Sequence, residues 1–488
     1  MKKFYLILLL VCFGNFLYAQ TRVIKRIVNS EADKEPLIGA SVKAQNTTQG
    51  TVTGIDGDFS IDVPVDAVLE FSYVGFKTTE ISVSGKNSLD VLLQEDSHLL
   101  TEVVAVGYRT ERKADLTGAV SVVDVADMMS AAENNPMKAL QGRIAGMQVT
   151  TDGSPSGAAT IRIRGIGTLN NNDPLYIIDG VPSTAGMHEL NSNDIESIQV
   201  LRDASAASIY GSRAANGVII VTTKKGKSGS LKVNFDAYAT ASFYANRMKM
   251  LNSKEYAEVI WKANVNDGLN PNNNTLGIVF QDELGTQGNR ILKNVYVPEF
   301  LDSDKTLRTS DTDWFDEVTR TGFAQSYNLS VSNGSDKGSY FLSLGYYDNN
   351  GIVKKTDFSR YSARINSDYK LFDGLITIGE NFTLSRTSEV AQPHNILEQA
   401  LRAIPLIPVH TDDGKGWGGP IGGMPDRHNP ARLVDDNRDN RYRYWRLFGN
   451  AFIIVQPVKG LNVRSSFGFD YGNFYKGGLT YSYKTGYL

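Results

Sequence analysis

The chain is nearly devoid of cysteine. Its one cysteine, Cys12, lies within an apolar run from Phe4 to Leu17 that follows two lysines. A basic start, a short apolar run and a small residue at position 19 make up a secretory signal peptide, so we expect residues 1–19 to be removed. The mature chain would then have no disulfide, no thiolate metal site and no cysteine nucleophile.

Long hydrophobic runs are also missing. No segment approaches the roughly 18 unbroken apolar residues of a membrane-spanning helix, so a membrane role would have to come from β-strands. Charge is nearly balanced, with 50 basic and 53 acidic residues, which predicts no nucleic-acid partner. The leader, together with 45 glycines, 23 tyrosines and 21 phenylalanines, points instead to a cell surface.

Motifs for catalysis are absent from the sequence as well. The five histidines are scattered and form no His-Glu-x-x-His zinc helix. There is no Gly-x-Ser-x-Gly elbow, no P-loop and no complete dinucleotide fingerprint. The sequence therefore predicts a protein that is not an enzyme, with no cofactor and no metal site.

What the sequence does contain is β-pattern at both ends and a mixed pattern between them. Over residues 22–95, alternation such as Phe59, Ile61 and Val63, with the turn Asp56-Gly57, predicts a small all-β sandwich. Residues 109–227 read as α+β, because strands of this region alternate with helix signals.

Two stretches of the middle region show this mixture. Asn135-Pro136 is a good helix start, and we expect that helix to end at Gly146. Residues 194–226 read as a strand, a short Ala/Ser helix, a glycine-punctuated turn and a second strand.

From residue 230 onward the sequence alternates with period two. Leu231, Val233 and Phe235 share one face, and polar residues share the other. About eight such ladders follow one another, and long connections at 246–323 and 387–443 fall only at alternate joins. Transmembrane barrels with short periplasmic turns and long extracellular loops have this arrangement. We therefore assign residues 230–488 to the N-terminal part of an antiparallel transmembrane β-barrel; a soluble β-sandwich is the alternative.

Several segments carry a family resemblance. The plug domain of SusC/RagA-type TonB-dependent outer-membrane transporters resembles four segments here, in the same order: 139–149, 161–165, 174–182 and 194–226. Segments 36–42, 50–59 and 71–76 resemble the carboxypeptidase-regulatory, transthyretin-like domain that precedes the plug in many of these proteins. The resemblance implies a mainly β fold: a transthyretin-like sandwich, an α+β plug, and the first strands of a large barrel.

The predicted strands are too few for that family. Plugged transporters close at about 22 strands, and an open sheet in lipid would leave unpaired edges costing tens of kcal/mol. We therefore expect an N-terminal fragment of a longer protein, with a natural truncated remnant as the alternative.

The resemblance also assigns site residues. Residues 99–108 match a TonB box and linker, with the box formed by Thr101, Glu102, Val103, Val104, Ala105, Val106 and Gly107. Such an extended segment can add a strand to a partner sheet, although an ordinary linker strand is the alternative. The candidates for ion pairs between plug and barrel, or else solvated surface arginines, are Arg162, Arg164, Arg202 and Arg213. Trp417 is a candidate for stacking on a sugar ring, and a flexible glycine-rich loop is the alternative.

The function implied is energised import across the outer membrane. TonB, with its inner-membrane complex, would pull the box, and a SusD-like surface lipoprotein would capture an oligosaccharide or a peptide. The barrel would sit in outer-membrane lipid, with the N-terminal domain in the periplasm. A TonB-dependent surface receptor or signal transducer, and a non-transporting remnant, are the alternatives.

Overall fold

The computed structural model describes residues 21–31, 34–45, 47, 49–73, 76–84, 88–94, 103–106, 109–112, 120–124, 135–183, 187–202, 208–245, 248–421, 428–458 and 460–482. The predicted signal peptide lies outside these residues. The chain divides into two compact units after Thr117. Within the described residues, no helix has the length and apolar character needed to cross a membrane.

The first unit contains a β-sandwich, as the sequence predicts. Its strands are β1 (Thr21–Ser30), β2 (Ser41–Ala44), β3 (Gly50–Val52), β4 (Asp58–Pro64), β5 (Val68–Ser72), β6 (Thr79–Ser82) and β7 (Val91–Leu93). One sheet has the order β4-β1-β7 and the other β3-β2-β5-β6. Alternate residues of both sheets, among them Ile24, Phe59 and Phe71, point into a shared apolar core.

A separate hairpin follows the sandwich in the same unit. Strand β8 (Val103–Val106) pairs antiparallel with β9 (Arg109–Arg112), with Val103 opposite Arg112. The β-branched residues of β8 favour this extended conformation.

The second unit begins with a five-stranded sheet and a hairpin, which we call the plug. Its strands are β10 (Val120–Asp124), β11 (Met147–Thr151), β12 (Ala159–Ile163), β13 (Leu175–Ile178), β14 (Val181–Ser183), β15 (Ile195–Leu201) and β16 (Val218–Thr223). The sheet order is β10-β15-β16-β13-β14, in which β13 and β16 are parallel, and β11 pairs with β12. Four consecutive buried residues in β13 confirm the predicted buried strand.

The helix predicted after Asn135 is wrong in extent. Asn135 does cap a turn, because its side chain accepts a hydrogen bond from the Met137 N–H at 2.9 Å. Only a 3₁₀ turn, Lys138–Leu140, follows. Gly142 and Gly146 both adopt positive φ, at 75° and 76°, so the backbone leaves the helical region within one turn. For the short Ala/Ser helix predicted within 194–226, residues 203–207 lie outside the described residues. Ser208–Ala214 contains 3₁₀ turns interrupted by a kink at Gly211.

The rest of the unit is dominated by a seven-stranded antiparallel sheet, which we call the wall. Its strands are β17 (Gly229–Ser242), β20 (Gly322–Ser335), β21 (Gly338–Asn350), β22 (Asp357–Leu371), β23 (Ile376–Val390), β24 (Arg441–Val458) and β25 (Leu461–Gly477). They pair in chain order, and β17 and β25 form the two edges. This confirms seven of the eight predicted ladders; residues 478–482 of the eighth are described and are not strand.

Long connections fall only at alternate joins of the wall, as predicted. Tight turns join β20 to β21, β22 to β23 and β24 to β25. The connections 243–321 and 391–440 are long and fold together as a lobe. Its elements are α1 (Ser253–Asn266), β18 (Val279–Leu284), β19 (Arg290–Tyr296), α2 (Trp314–Val318), α3 (Ile396–Arg402) and α4 (Pro430–Asp436). Described residues from both connections share one apolar core.

Candidate functional site: the plug–wall interface

The wall buries its polar face. Along β22, Arg360, Ser362 and Arg364 are buried, whereas Tyr361 and Ile365, at positions of the opposite phase, are exposed. The same holds on neighbouring strands, whose buried residues include Asn328, Ser330, Ser343, Asn381, Thr383, Ser385, Arg446 and Asn450. Buried polar groups need hydrogen-bond partners, and the plug supplies many of them.

One cluster forms around the tight turn between β13 and β14. Asp179 adopts a positive φ of 48° and Gly180 one of 85°, which turns the Asp179 carboxylate toward the wall. The carboxylate accepts hydrogen bonds from the Thr223 N–H at 3.0 Å and the Thr223 hydroxyl at 2.8 Å. Arg364 of the wall donates to the same carboxylate, and the two side chains are only 1% and 5% exposed.

Wall amides surround this ion pair. Asn366 donates to the Lys224 carbonyl at 2.6 Å, and Asn450 donates to the Asp179 carbonyl at 2.7 Å. Asn381 in turn donates to the Asn450 side-chain oxygen at 2.8 Å. The ends of plug strands β13 and β16 are therefore tied to the wall by both charge and backbone contacts.

A second cluster centres on Arg446 of β24. Its guanidinium donates Nε and one terminal nitrogen to the two carboxylate oxygens of Asp470, each at 2.8 Å. The other terminal nitrogen donates to Glu189 Oε2 of the plug at 2.9 Å. The terminal nitrogen that binds Asp470 also donates to Ser183 Oγ of the plug at 2.5 Å. One wall arginine thus binds a wall acid and a plug acid together, in the bidentate geometry that suits guanidinium.

Burial makes two acids of the plug, Glu189 and Asp194, harder to ionise. It raises the pKa of Glu189 to about 7, from an ordinary 4.5, outweighing the opposing charge of Arg446. The Asp194 side chain is completely buried, and this raises its pKa too, against the Ser343 hydroxyl and the Arg364 charge. The charge of these two carboxyl groups therefore depends on whether the plug is packed against the wall.

A third set of contacts depends on a glycine of the wall, Gly345. Arg360 donates to the Leu190 carbonyl at 3.0 Å, and Asn191 of the plug donates to Asn328 Oδ1 of the wall at 2.8 Å. Gly345 of β21 leaves the room for this contact, since a Cβ there would lie 2.6 Å from Asn191 Nδ2 and 2.6 Å from Ser362 Oγ. A close approach of this kind is a common reason for glycine in a strand.

The polar interface contrasts with the plug's own interior. The plug core is apolar, and Phe448 is the wall side chain that joins it among the described residues. Each hydrogen bond or ion pair contributes little net free energy, because water replaces it when it breaks. Burial of apolar surface has no such replacement in water. The apolar core thus stabilises the plug itself, whereas water can replace the polar contacts between the plug and the wall.

Two of the four arginines predicted to join plug and barrel have their contacts within the plug. Arg162 pairs with Asp173 at 2.6 Å and Arg202 donates to the Ala145 carbonyl at 2.5 Å, both within the plug. Arg164 and Arg213 have exposed side chains. The plug–wall ion pairs observed here use wall arginines and plug carboxylates instead.

The signal for those wall arginines was present in the sequence. Arg360, Arg364 and Arg446 occupy the polar phase of two predicted ladders, where an inward-facing charge is expected to need a partner. The partners themselves were not recognisable, because Asp179 and Glu189 lie in turns with no periodic pattern.

The predicted TonB box is described only in part. Val103 to Val106 form strand β8, while Thr101, Glu102 and Gly107 lie outside the described residues. In the described backbone β8 has a single pairing strand, β9.

Trp417 belongs to the folded lobe. Its ring lies 4.4 Å from the ring of His410, and the two residues form an isolated β-bridge. Gly418 beside it donates to the Val409 carbonyl at 2.9 Å. This part of the loop is ordered, and the half-buried indole is packed on a histidine. Within the described residues, no three His, Cys, Asp or Glu side chains could hold a metal ion together.

Comparison with known families agrees with this architecture. Residues 112–218 match the TonB-dependent Receptor Plug Domain, and residues 27–105 match the CarboxypepD_reg-like domain. A plug domain packed on a barrel-like antiparallel sheet defines the class of plugged outer-membrane β-barrel proteins.

Individual relatives define the family. TonB-dependent receptor SusC of Bacteroides thetaiotaomicron is 33% identical over 83% of this chain and 38% of its own length. TonB-dependent receptor P26 of Formosa agariphila is 34% identical over 95% of this chain and 44% of its own. A chain of the RagAB peptide importer in its open-open state superposes with a TM-score of 0.59 at 26% identity, over 76% of this chain and 42% of its own.

The chain belongs to the SusC/RagA type of TonB-dependent receptors. It spans about two fifths of the length of these relatives. The family is one of receptors and transporters and not of enzymes.

Proposed function

We propose that this chain supplies the plug and part of the wall of a gated nutrient importer in the outer membrane. The observation that carries the proposal is the polar seat of the plug, above all the Arg446 and Arg364 clusters. A seat made of ion pairs and amide contacts can be separated and reformed without exposing an apolar core. That property suits a gate, and the named relatives support it: one is a receptor that depends on TonB and another a peptide importer.

In this proposal TonB supplies the force. The segment Thr101–Gly107 adds as a strand to TonB, and tension moves the plug away from the wall. Residues 1–19 direct export, the N-terminal sandwich faces the periplasm, and the folded lobe lies outside the cell. A SusD-like lipoprotein partners the lobe side of the barrel, and the cargo is an oligosaccharide or a peptide.

A disulfide between plug and wall tests the gate. The chain has no cysteine beyond position 12, so Asn191→Cys with Asn328→Cys introduces a single engineered pair. In the native protein Asn191 Nδ2 lies 2.8 Å from Asn328 Oδ1, so the two side chains face each other across the interface. Cells expressing the double variant are given labelled oligosaccharides or labelled peptides in parallel. We expect oxidation to abolish uptake, reductant to restore it, and binding at the cell surface to persist.

Two comparison variants complete the design. Each single cysteine variant controls for loss of the Asn–Asn bond, and deletion of Thr101–Gly107 should abolish uptake without oxidation. Equal uptake by the oxidised and the reduced double variant, once the cross-link is verified, would mean that the plug need not leave the wall.

A further inference from the structure

The outward face of the wall carries one continuous row of large side chains. Tyr327, Tyr346, Tyr361, Arg386 and Trp445 are direct cross-strand partners on five successive strands, β20 to β24. The rings of the first two are 6.4 Å apart and those of the second and third 4.8 Å. The guanidinium carbon of Arg386 lies 5.3 Å from the centre of the Trp445 ring.

This row separates a polar part of the face from an apolar part. The next outward row toward the long connections is polar and consists of Gln325, Asp348, Ser359, Ser388 and Arg443. The next row toward the tight turns is apolar and consists of Leu329, Leu344, Ala363, Leu384 and Leu447. A belt of aromatic residues at such a boundary marks the level of lipid headgroups in outer-membrane barrels.

The apolar row is not flat. A groove of about 520 Å³ opens on the outward face between the aromatic row and the leucines. Leu344 and Phe235 at its sides are 60% and 66% exposed. Ala363 forms part of its lining, and its small side chain leaves the depression. A groove of this kind accepts a flexible apolar chain.

Arg386 lies on the side of the groove nearer the long connections, and its guanidinium is a candidate partner for an anion. In the described part of the chain no carboxylate lies within ion-pairing distance of it, and its aromatic row carries no acid. Its contact with Trp445 holds the guanidinium over an apolar surface. Guanidinium matches phosphate oxygens bidentately, which a headgroup at this level would provide.

We propose that the groove binds an anionic lipid, with its phosphate on Arg386 and an acyl chain along Leu329, Leu344 and Leu384. The proposal rests on the proposed membrane-spanning role of the wall. Charge favours a lipid over a second copy of the chain. Two copies packed symmetrically on this groove would bring two Arg386 side chains together without an acid between them.

Lipids with brominated acyl chains test the site, because bromine quenches the fluorescence of a tryptophan that it touches. The full chain is reconstituted in phosphatidylcholine bilayers that contain either brominated phosphatidylglycerol or brominated phosphatidylcholine. The Trp445→Phe variant supplies the background from the other tryptophans. We expect the anionic lipid to bind beside Trp445 about fivefold more tightly, the effect of one basic side chain at an anionic headgroup.

Three variants locate the preference. Arg386→Gln should abolish it, whereas Arg443→Gln, one row away on the same face, should keep it. Ala363→Phe fills the groove and should reduce quenching of Trp445 by both lipids.

Other outcomes would overturn the proposal in distinguishable ways. Equal quenching by both lipids in the unaltered chain, or equal loss in the two arginine variants, would show that Arg386 is not a specific phosphate site. A Trp445 signal that follows protein density and not lipid type would assign the groove to a second copy. No quenching by any lipid would remove the membrane-spanning proposal itself.

Discussion

The strands of the N-terminal sandwich and of the wall both alternate with period two, but the sandwich buries its apolar face and the wall its polar face. In β4 of the sandwich, Phe59, Ile61 and Val63 are buried and the polar residues between them are exposed. In β22 of the wall, Arg360 and Arg364 are buried and Ile365 is exposed. The period of a strand therefore says which residues share a face, and not which face is inside.

The surroundings of each face account for the difference. A sandwich closes on itself, so its apolar residues meet one another and its polar residues meet water. The polar face of the wall meets the plug, whose acids and carbonyls satisfy it. The apolar face has no counterpart in the described residues, and lipid is the surrounding that would favour it.

The largest expected effect comes from replacing a buried charge of the wall with an apolar side chain. Arg446→Leu leaves Asp470 and Glu189 buried without their guanidinium, and removing one partner of a buried pair costs about 3–5 kcal/mol. We expect the free energy of unfolding of the detergent-solubilised chain to fall by that amount in a denaturant titration. The matched control is Arg443→Leu, on the exposed face of the same strand, which should change stability by less than about 0.5 kcal/mol. Similar losses in both variants would mean that the buried pair has no special role.

The second test places a charge on an exposed leucine in each region. Leu342 of the wall is 42% exposed and Leu92 of the sandwich is 47% exposed. If the first meets lipid and the second water, Leu342→Arg should cost about 2–4 kcal/mol in vesicles. Leu92→Arg should stay within about 0.5 kcal/mol. Urea titrations of the chain folded into lipid vesicles measure both, and a Leu342→Arg variant as stable as the unaltered chain would show that this face meets water.

The smallest expected effect concerns the proton on Glu189. Its pKa is raised to about 7, so between the ordinary 4.5 and 7 the folded plug holds a proton that the unfolded chain has lost. Stability must then fall as pH rises through this window, by about 2 kcal/mol between roughly pH 5 and pH 7.5. Melting temperatures at several pH values measure the slope, which Glu189→Gln should remove. Glu196→Gln, at an exposed plug acid, should retain it. A slope that survives in Glu189→Gln would belong to another group.

Local features of the fold were predictable because they depend on neighbours in the chain. Alternation in β20 to β25 and the tight turns between alternate strands need only period two and turn residues, and both were correctly predicted. The helix after Asn135 was mispredicted for a related reason. The cap signal was read correctly, but only a 3₁₀ turn to Leu140 follows it, and Gly142 and Gly146 adopt positive φ.

By itself, the sequence determined the order of sandwich, plug and wall strands, the family to which they belong, and the two faces of each strand. Only the tertiary structure decided which arginines hold the plug. Arg446 and Glu189 are 257 residues apart, and Arg364 and Asp179 are 185 apart. No local pattern links residues so distant, because a partner for a buried charge is chosen by where the folded backbone brings an acid. Two of the plug arginines that looked suitable, Arg162 and Arg202, have partners within the plug, whereas Asp179 and Glu189 contact the wall.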